Sequence, residues 1–277
     1  MIGYDEENYT NININELLSN EKRLISFVGT SKSGTSFIIN NIAEILSNRG
    51  VKVAIIDTTQ NKNSYYIYTK NEEALRCIAN ESIQSLYNGE ANGIQVNENL
   101  SVYTSVVKKM DCLDEVEKIL ETLIENYSII LVDADFETPE KYFYYSNEVY
   151  LIQTMDVLTV QPLTEFLSRL KNRNFLDENK LRIIINKYLE VESITPTEIV
   201  GGMAFYNEPT MAYMQQLFNK DFAKYIVVPF NEDSYRNYLN GLAKCEISIS
   251  DISNNILQVL GKISTDIYPY SLKNTEN

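Results

Sequence analysis

Histidine and tryptophan are absent from the 277 residues. Without histidine there is no imidazole general base, no Ser-His-Asp triad and no histidine metal site. Cysteine is scarce. Cys77, Cys112 and Cys245 are isolated, odd in number and without metal or disulfide spacing, which is expected of a chain in a reducing cytoplasm. Basic residues are outnumbered, 24 Lys and Arg against 38 Asp and Glu, for a net charge of −14. That excludes a broad non-specific hold on DNA or on an anionic membrane face, both of which need basic surface. A small local basic patch stays open. No apolar run approaches the roughly 18 residues of a spanning helix, and no signal peptide is read. The apolar content of 44% is that of an ordinary folded protein.

What is there is organised around residues 23–41, RLISFVGTSKSGTSFIINN. Leu24, Ile25, Phe27 and Val28 form a short apolar run suited to a strand covered on both faces. Ile38, Ile39, Ile42, Ile45 and Leu46 then recur at helical spacing up to Gly50, a good residue just past a helix end. Between them lies a loop of small residues: Gly29, Thr30, Ser31, Lys32, Ser33, Gly34, Thr35 and Ser36. Such a strand-loop-helix can wrap a phosphate with backbone N–H groups and the positive end of the helix. The spacing is that of a P-loop, G-x-x-x-x-G-K-[ST], except that Thr35 stands where the lysine belongs. Ser36 falls where the Mg²⁺-ligating hydroxyl belongs. Read alone, the stretch fits either a phosphate loop or an ordinary β–α turn rich in small residues. Lys32 is the one basic residue in the loop. Its side chain either folds back over a phosphate or points outward to solvent or a partner, as side chains of an N–H-inward loop tend to do.

Two further apolar runs end in acids. Residues 51–57 (VKVAIID) end at Asp57, and residues 128–133 (SIILVD) end at Asp133, a Walker B pattern in which the carboxylate holds Mg²⁺ through water. A carboxylate at the C-terminal end of a parallel strand faces the crevice where α/β sheets bind ligands. Further strands are expected at 100–107, 148–154, 181–186 and 225–229. Helices are expected at 71–87 with a break near Asn80, and at 111–126, 160–170, 233–242 and 251–263. The last carries only Lys262 on its polar face, so core packing suits it better than a membrane surface. Strands alternate with helices, which predicts an α/β fold: a mostly parallel, doubly wound sheet with helices on both faces. Residues 1–20 are expected to form an N-terminal arm and residues 21–277 a single domain.

In this order the pieces resemble the MinD/ParA family of deviant P-loop ATPases, of the SIMIBI-like P-loop NTPase fold. They are the loop Gly29–Ser36, the strand ending at Asp57, the stretch 85–105, Asp133, the turn 154–160 (TMDVLTV), Asn186-Lys187 and Val228-Pro229. The resemblance implies ATP or ADP and Mg²⁺ as cofactors, held by Gly29–Ser36, with Asn186 and Pro229 near the base and Ser36 and Asp133 at the metal. It also implies that Asp57 orients the attacking water. The departures are specific. The family's signature lysine falls at Thr30 and the common P-loop lysine at Thr35, and D-x-D-P-Q after the second strand is here Asp57-Thr58-Thr59-Gln60-Asn61. Loss of the P-loop lysine is most similar to the TadZ/CpaE branch, linked to polar placement and assembly of pili.

These features imply a homodimeric, nucleotide-responsive scaffold that positions a surface, secretion or transfer machine. It is expected in the cytoplasm and recruited to membrane or pole by a partner, with slow hydrolysis or none. The alternative is an active partition-type ATPase segregating DNA or protein cargo. A tyrosine kinase related to the same family is prompted by twenty tyrosines and by Tyr268 and Tyr270, but that chemistry needs the P-loop lysine.

Overall fold

A computed structural model describes residues 13–107, 112–201 and 225–269. The apolar runs become strands β1 (Arg23–Gly29), β2 (Val53–Asp57), β4 (Leu100–Tyr103), β5 (Ile129–Ala134), β6 (Glu148–Gln153), β7 (Leu181–Tyr188) and β8 (Tyr225–Pro229), joined at one edge by β3 (Ile94–Asn97). All eight lie in one sheet in the order β3-β4-β2-β5-β1-β6-β7-β8. Every pairing is parallel except β3 with β4.

The runs are apolar without alternation because both faces of the sheet are covered. Successive side chains of a strand point to opposite faces, and they divide between two cores accordingly. Leu24, Val28, Ala54, Ile56, Ile130 and Val132 enter one, with Leu120 and Leu123 of α5 (Val116–Asn126) and Phe166 of α7 (Val160–Asn172). Ile25, Phe27, Val53, Ile55, Ile129 and Leu131 enter the other, with Ile38 and Ile42 of α2 (Thr35–Ser47) and Leu260 and Ile263 of α10 (Asn254–Ile267). The helix read at 251–263 is therefore a core helix, with Leu260 and Ile263 fully buried. Tyr268 is described next to it; Tyr270 lies outside the described residues.

The remaining helices are α1 (Ile14–Leu17), α3 (Asn63–Thr69), α4 (Glu73–Tyr87), α6 (Lys141–Tyr145), α8 (Pro196–Gly201) and α9 (Glu232–Lys244). Three expectations change. The break near Asn80 is absent, because Ala79, Ile83 and Leu86 hold one uninterrupted buried stripe on α4. The strand expected at 100–107 ends at Tyr103. The helix expected from 111 begins at Val116; part of its expected start, residue 111, lies outside the described residues. Of the N-terminal arm, residues 1–12 also lie outside them, whereas Ile14 is fully buried in the first core. No helix among the described residues is long and apolar enough to cross a membrane.

Candidate functional site

The loop that follows β1 runs into α2 at the C-terminal edge of the sheet, between β5 and β6. Its backbone makes two left-handed turns, at Lys32 (φ 65°) and Gly34 (φ 92°). Ser33 N donates to Thr30 O at 3.1 Å, and Gly34 O accepts from Ile38 N at 3.1 Å as α2 begins. Gly34 caps α2 without a side chain, so the amides of the first turn are left for another acceptor. Glycine is required at 34 for two reasons. The left-handed backbone strains other residues, and a Cβ there would lie 2.3 Å from Asn186 Nδ2. At Gly29 a Cβ would stand 2.5 Å from the carbonyl oxygen of Ile152 in the neighbouring strand.

A cavity of about 870 Å³ opens over this loop, within the size range of small-molecule sites. Gly29, Thr30, Ser31, Lys32, Gly34, Thr35, Ser36 and Asp133 line it, with Asp135 and Glu137 beyond β5 and Tyr235, Tyr238, Leu239 and Leu242 from α9. Lys32 is exposed at its rim. Ser36 Oγ donates to Asp133 Oδ2 at 2.9 Å, so the sequence-expected metal pair meets across the loop. Burial, and the Asp57 carboxyl on the adjoining strand, hold the Asp133 carboxyl well above its usual range; the Ser36 bond acts in the opposite sense.

Asp57 sits beside Asp133 in register on β2, yet it does not line the cavity. It is fully buried, and its two oxygens accept three bonds. Oδ1 takes the Thr59 amide at 3.0 Å and the Thr59 hydroxyl at 2.7 Å, and Oδ2 takes the Ser64 amide at 3.0 Å. The carboxylate thus ties down the first turn of α3. Burial raises its pKa, opposed first by the Lys62 ammonium, which donates to the Asp57 carbonyl oxygen at 3.0 Å.

Asn186 and Pro229 are also placed behind the lining. Pro229 is half-buried and pairs with Tyr188. Asn186 Nδ2 donates to Ser33 O at 2.9 Å, so it holds the loop from behind. Its neighbour Lys187 is the residue that sequence reasoning passed over as a site group. The pairing of β7 with β8 slips between Ile185 and Tyr188, and Lys187 takes a left-handed φ of 53°. A bulge of this kind re-aims side chains. Lys187 consequently reaches the loop, where its Nζ donates to Lys32 O at 2.9 Å and lies 5.4 Å from the centre of the Tyr235 ring. Partial burial lowers its pKa. A lysine directly after the strand-ending asparagine was the only sequence signal.

The Ser36–Asp133 pair suits a hard cation, which takes oxygen ligands. Among the described residues no cluster of three or more acidic, cysteine or histidine groups could hold a metal. A cation here would therefore draw its other ligands from water and from a bound phosphate, as Mg²⁺ commonly does.

No family model matches the sequence, and no curated protein matches it significantly. Solved structures do match. The septum site-determining protein MinD complexed with Mg-ADP from Pyrococcus horikoshii aligns at a TM-score of 0.63 and 15% identity, over 88% of this chain and 95% of that one. A putative plasmid partition protein from Borrelia burgdorferi bound to AMPPNP aligns at 0.62 and 17%, over 90% and 100%. A ParA family ATPase from Chlorobium tepidum aligns at 0.59 and 16%, over 88% and 98%. At these identities the likeness shows the fold: this chain has the P-loop NTPase fold of the MinD and ParA structures.

Proposed function

We propose that the chain is a nucleotide-responsive scaffold whose Gly29–Ser36 loop binds ATP or ADP with Mg²⁺ and hydrolyses ATP slowly or not at all. One observation carries this reading. The loop has a phosphate cradle's backbone and the Ser36–Asp133 pair, but Thr30 and Thr35 stand at both positions where the resemblance calls for a lysine. A missing charge-assisted phosphate contact is worth roughly 1.5–3 kcal/mol, or about ten- to a hundredfold in affinity. Binding should therefore be weak, with nucleotide acting as a conformational ligand.

Each group has a place in this reading. The loop amides and α2 terminus receive phosphate oxygens, Ser36 and Asp133 face the cation, and the α9 side chains Tyr238, Leu239 and Leu242 cover the nucleoside. When bound, Mg²⁺ would supply charge neutralisation of the phosphates. Asp57 is fully buried behind the lining and already accepts three hydrogen bonds, so orienting a water would require the site to open, a further reason for slow turnover. A nucleotide-dependent homodimer across this face is part of the proposal, supported by the exposure of Tyr66, Tyr235 and Leu239 at the cavity rim. So are placement near the TadZ/CpaE branch, a single domain over residues 21–277, and protein partners in a surface or transfer apparatus at membrane or pole.

The partition-type alternative makes the opposite statement about turnover. Steady-state phosphate release with and without Mg²⁺ separates the two. A rate at or only slightly above the uncatalysed background is expected; fast, sustained Mg²⁺-dependent release would favour the partition ATPase.

A further inference from the structure

We infer that the cavity selects a nucleoside diphosphate over the triphosphate, an inference that rests on the nucleotide-binding reading above. Apart from Lys32, which belongs to the loop itself and is exposed at the rim, the charged groups lining the cavity are sorted by side. β1 carries the loop, with β6 and β7 to one side of it and β5 and β2 to the other. The β7 side supplies an ammonium group: Lys187 Nζ stands 2.9 Å from Lys32 O, and its Cε would lie 3.6 Å from a Cβ built on Gly34. The β5 side supplies carboxyl groups: Asp133, Asp135 and Glu137.

These carboxyls are held in place. Asp135 Oδ2 accepts the Gln60 amide at 2.7 Å and Oδ1 the Glu137 amide at 2.9 Å, which fixes it on the β5 side of the cavity. Among the described lining residues no lysine or arginine lies on that side. Lys62 is near, but it is buried, donates to the Asp57 carbonyl oxygen and does not line the cavity.

The direction of a bound phosphate chain follows from the apolar end of the cavity. Tyr238, Leu239 and Leu242 belong to α9, which follows β8 beyond β7. A nucleoside covered there sends its phosphates from the β7 side across the loop towards β5. The first two meet the loop amides and Lys187. A third, with its added negative charge, is directed at Asp133, Asp135 and Glu137. Thr35 leaves no ammonium at the junction. Like charges at such range repel, and the repulsion is strongest where water is partly excluded. A divalent cation held by Ser36 and Asp133 would reduce the penalty, so selectivity is greatest without it. A site of this kind answers to the diphosphate level and is not driven by hydrolysis.

Titration calorimetry with ADP and with ATP, in EDTA and then in Mg²⁺, tests this on the full chain. In EDTA, ADP should bind at least about tenfold more tightly than ATP, and Mg²⁺ should narrow the gap. Glu137 is exposed, so Glu137→Gln should fold normally, as a thermal melt will verify; it should narrow the EDTA gap severalfold. Lys187→Met should weaken both nucleotides alike. ATP binding as tightly as ADP in EDTA, or a gap unmoved by Glu137→Gln, overturns the selectivity while leaving nucleotide binding intact. No saturable heat with either nucleotide at millimolar concentration overturns both.

Discussion

Thr35 follows Gly34 at the start of α2, where a lysine would reach the outer phosphates. Its hydroxyl instead lies 3.1 Å from that of Ser33. If the loop is otherwise competent, Thr35→Lys should tighten ATP binding by about ten- to a hundredfold, read by calorimetry. No gain would mean that the cradle is closed to phosphate. The buried pair Asp57 and Asp133 makes a different kind of prediction. Both carboxyls are held above their usual range, chiefly by burial. The folded chain therefore binds their protons more tightly than the unfolded chain does. That contribution to stability is fully present below the unfolded value, about 3.9, and is lost as pH rises through the raised folded values. Asp133→Asn removes the loss. It should melt higher than the parent at pH 8, read by a thermal melt. The advantage should shrink as pH falls. A variant less stable at pH 8 would mean that Asp133 is stabilising as a carboxylate.

At the scale of elements, the end of β7 decides the shape of the loop. Its bulge brings Asn186 onto Ser33 O and Lys187 onto Lys32 O, two contacts on consecutive loop carbonyls. Asn186→Ala leaves Ser33 O without that donor, which should cost about 1–3 kcal/mol in urea unfolding and weaken nucleotide binding in parallel. Unchanged stability would show that the loop holds its form unaided. No periodicity announces this bulge. Residues 181–186 read as a plain buried strand, and Asn186-Lys187 as its end. Two other elements escaped the sequence for related reasons. α3 runs through Asn63–Thr69, where Tyr65, Tyr66, Ile67 and Tyr68 favour strands, and its first turn is tied to Asp57 on β2, a partner invisible to local pattern. β3 is a four-residue edge strand with two exposed positions, too short to show alternation. By contrast β1, β2 and β5 were legible because burial on both faces demands unbroken apolar runs.

For the whole molecule, strand-helix alternation sufficed for the doubly wound sheet, and acids at strand ends sufficed to bring Asp57 and Asp133 to one edge. What the sequence withheld is which side chains face the cavity. Asp57, Asn186 and Pro229 hold backbone behind it, whereas Lys187 and α9 line it. That division depends on strand register and on the left-handed φ at Lys187, which are set by packing far from each residue. Against a net charge of −14, the loop, α2 and Lys187 are the features among the described residues that can attract an anion at this face. The direct measurement is equilibrium titration of Mg-ATP and Mg-ADP into the parent chain and into Gly34→Ala, with thermal melts to verify folding. A Cβ at Gly34 collides with Asn186 Nδ2 at 2.3 Å in a left-handed backbone, so the cradle must distort. Saturable binding by the parent, weakened at least about tenfold in Gly34→Ala, is expected. Absence of binding by the parent at millimolar nucleotide, or equal binding by the two chains, would contradict a nucleotide site at this loop.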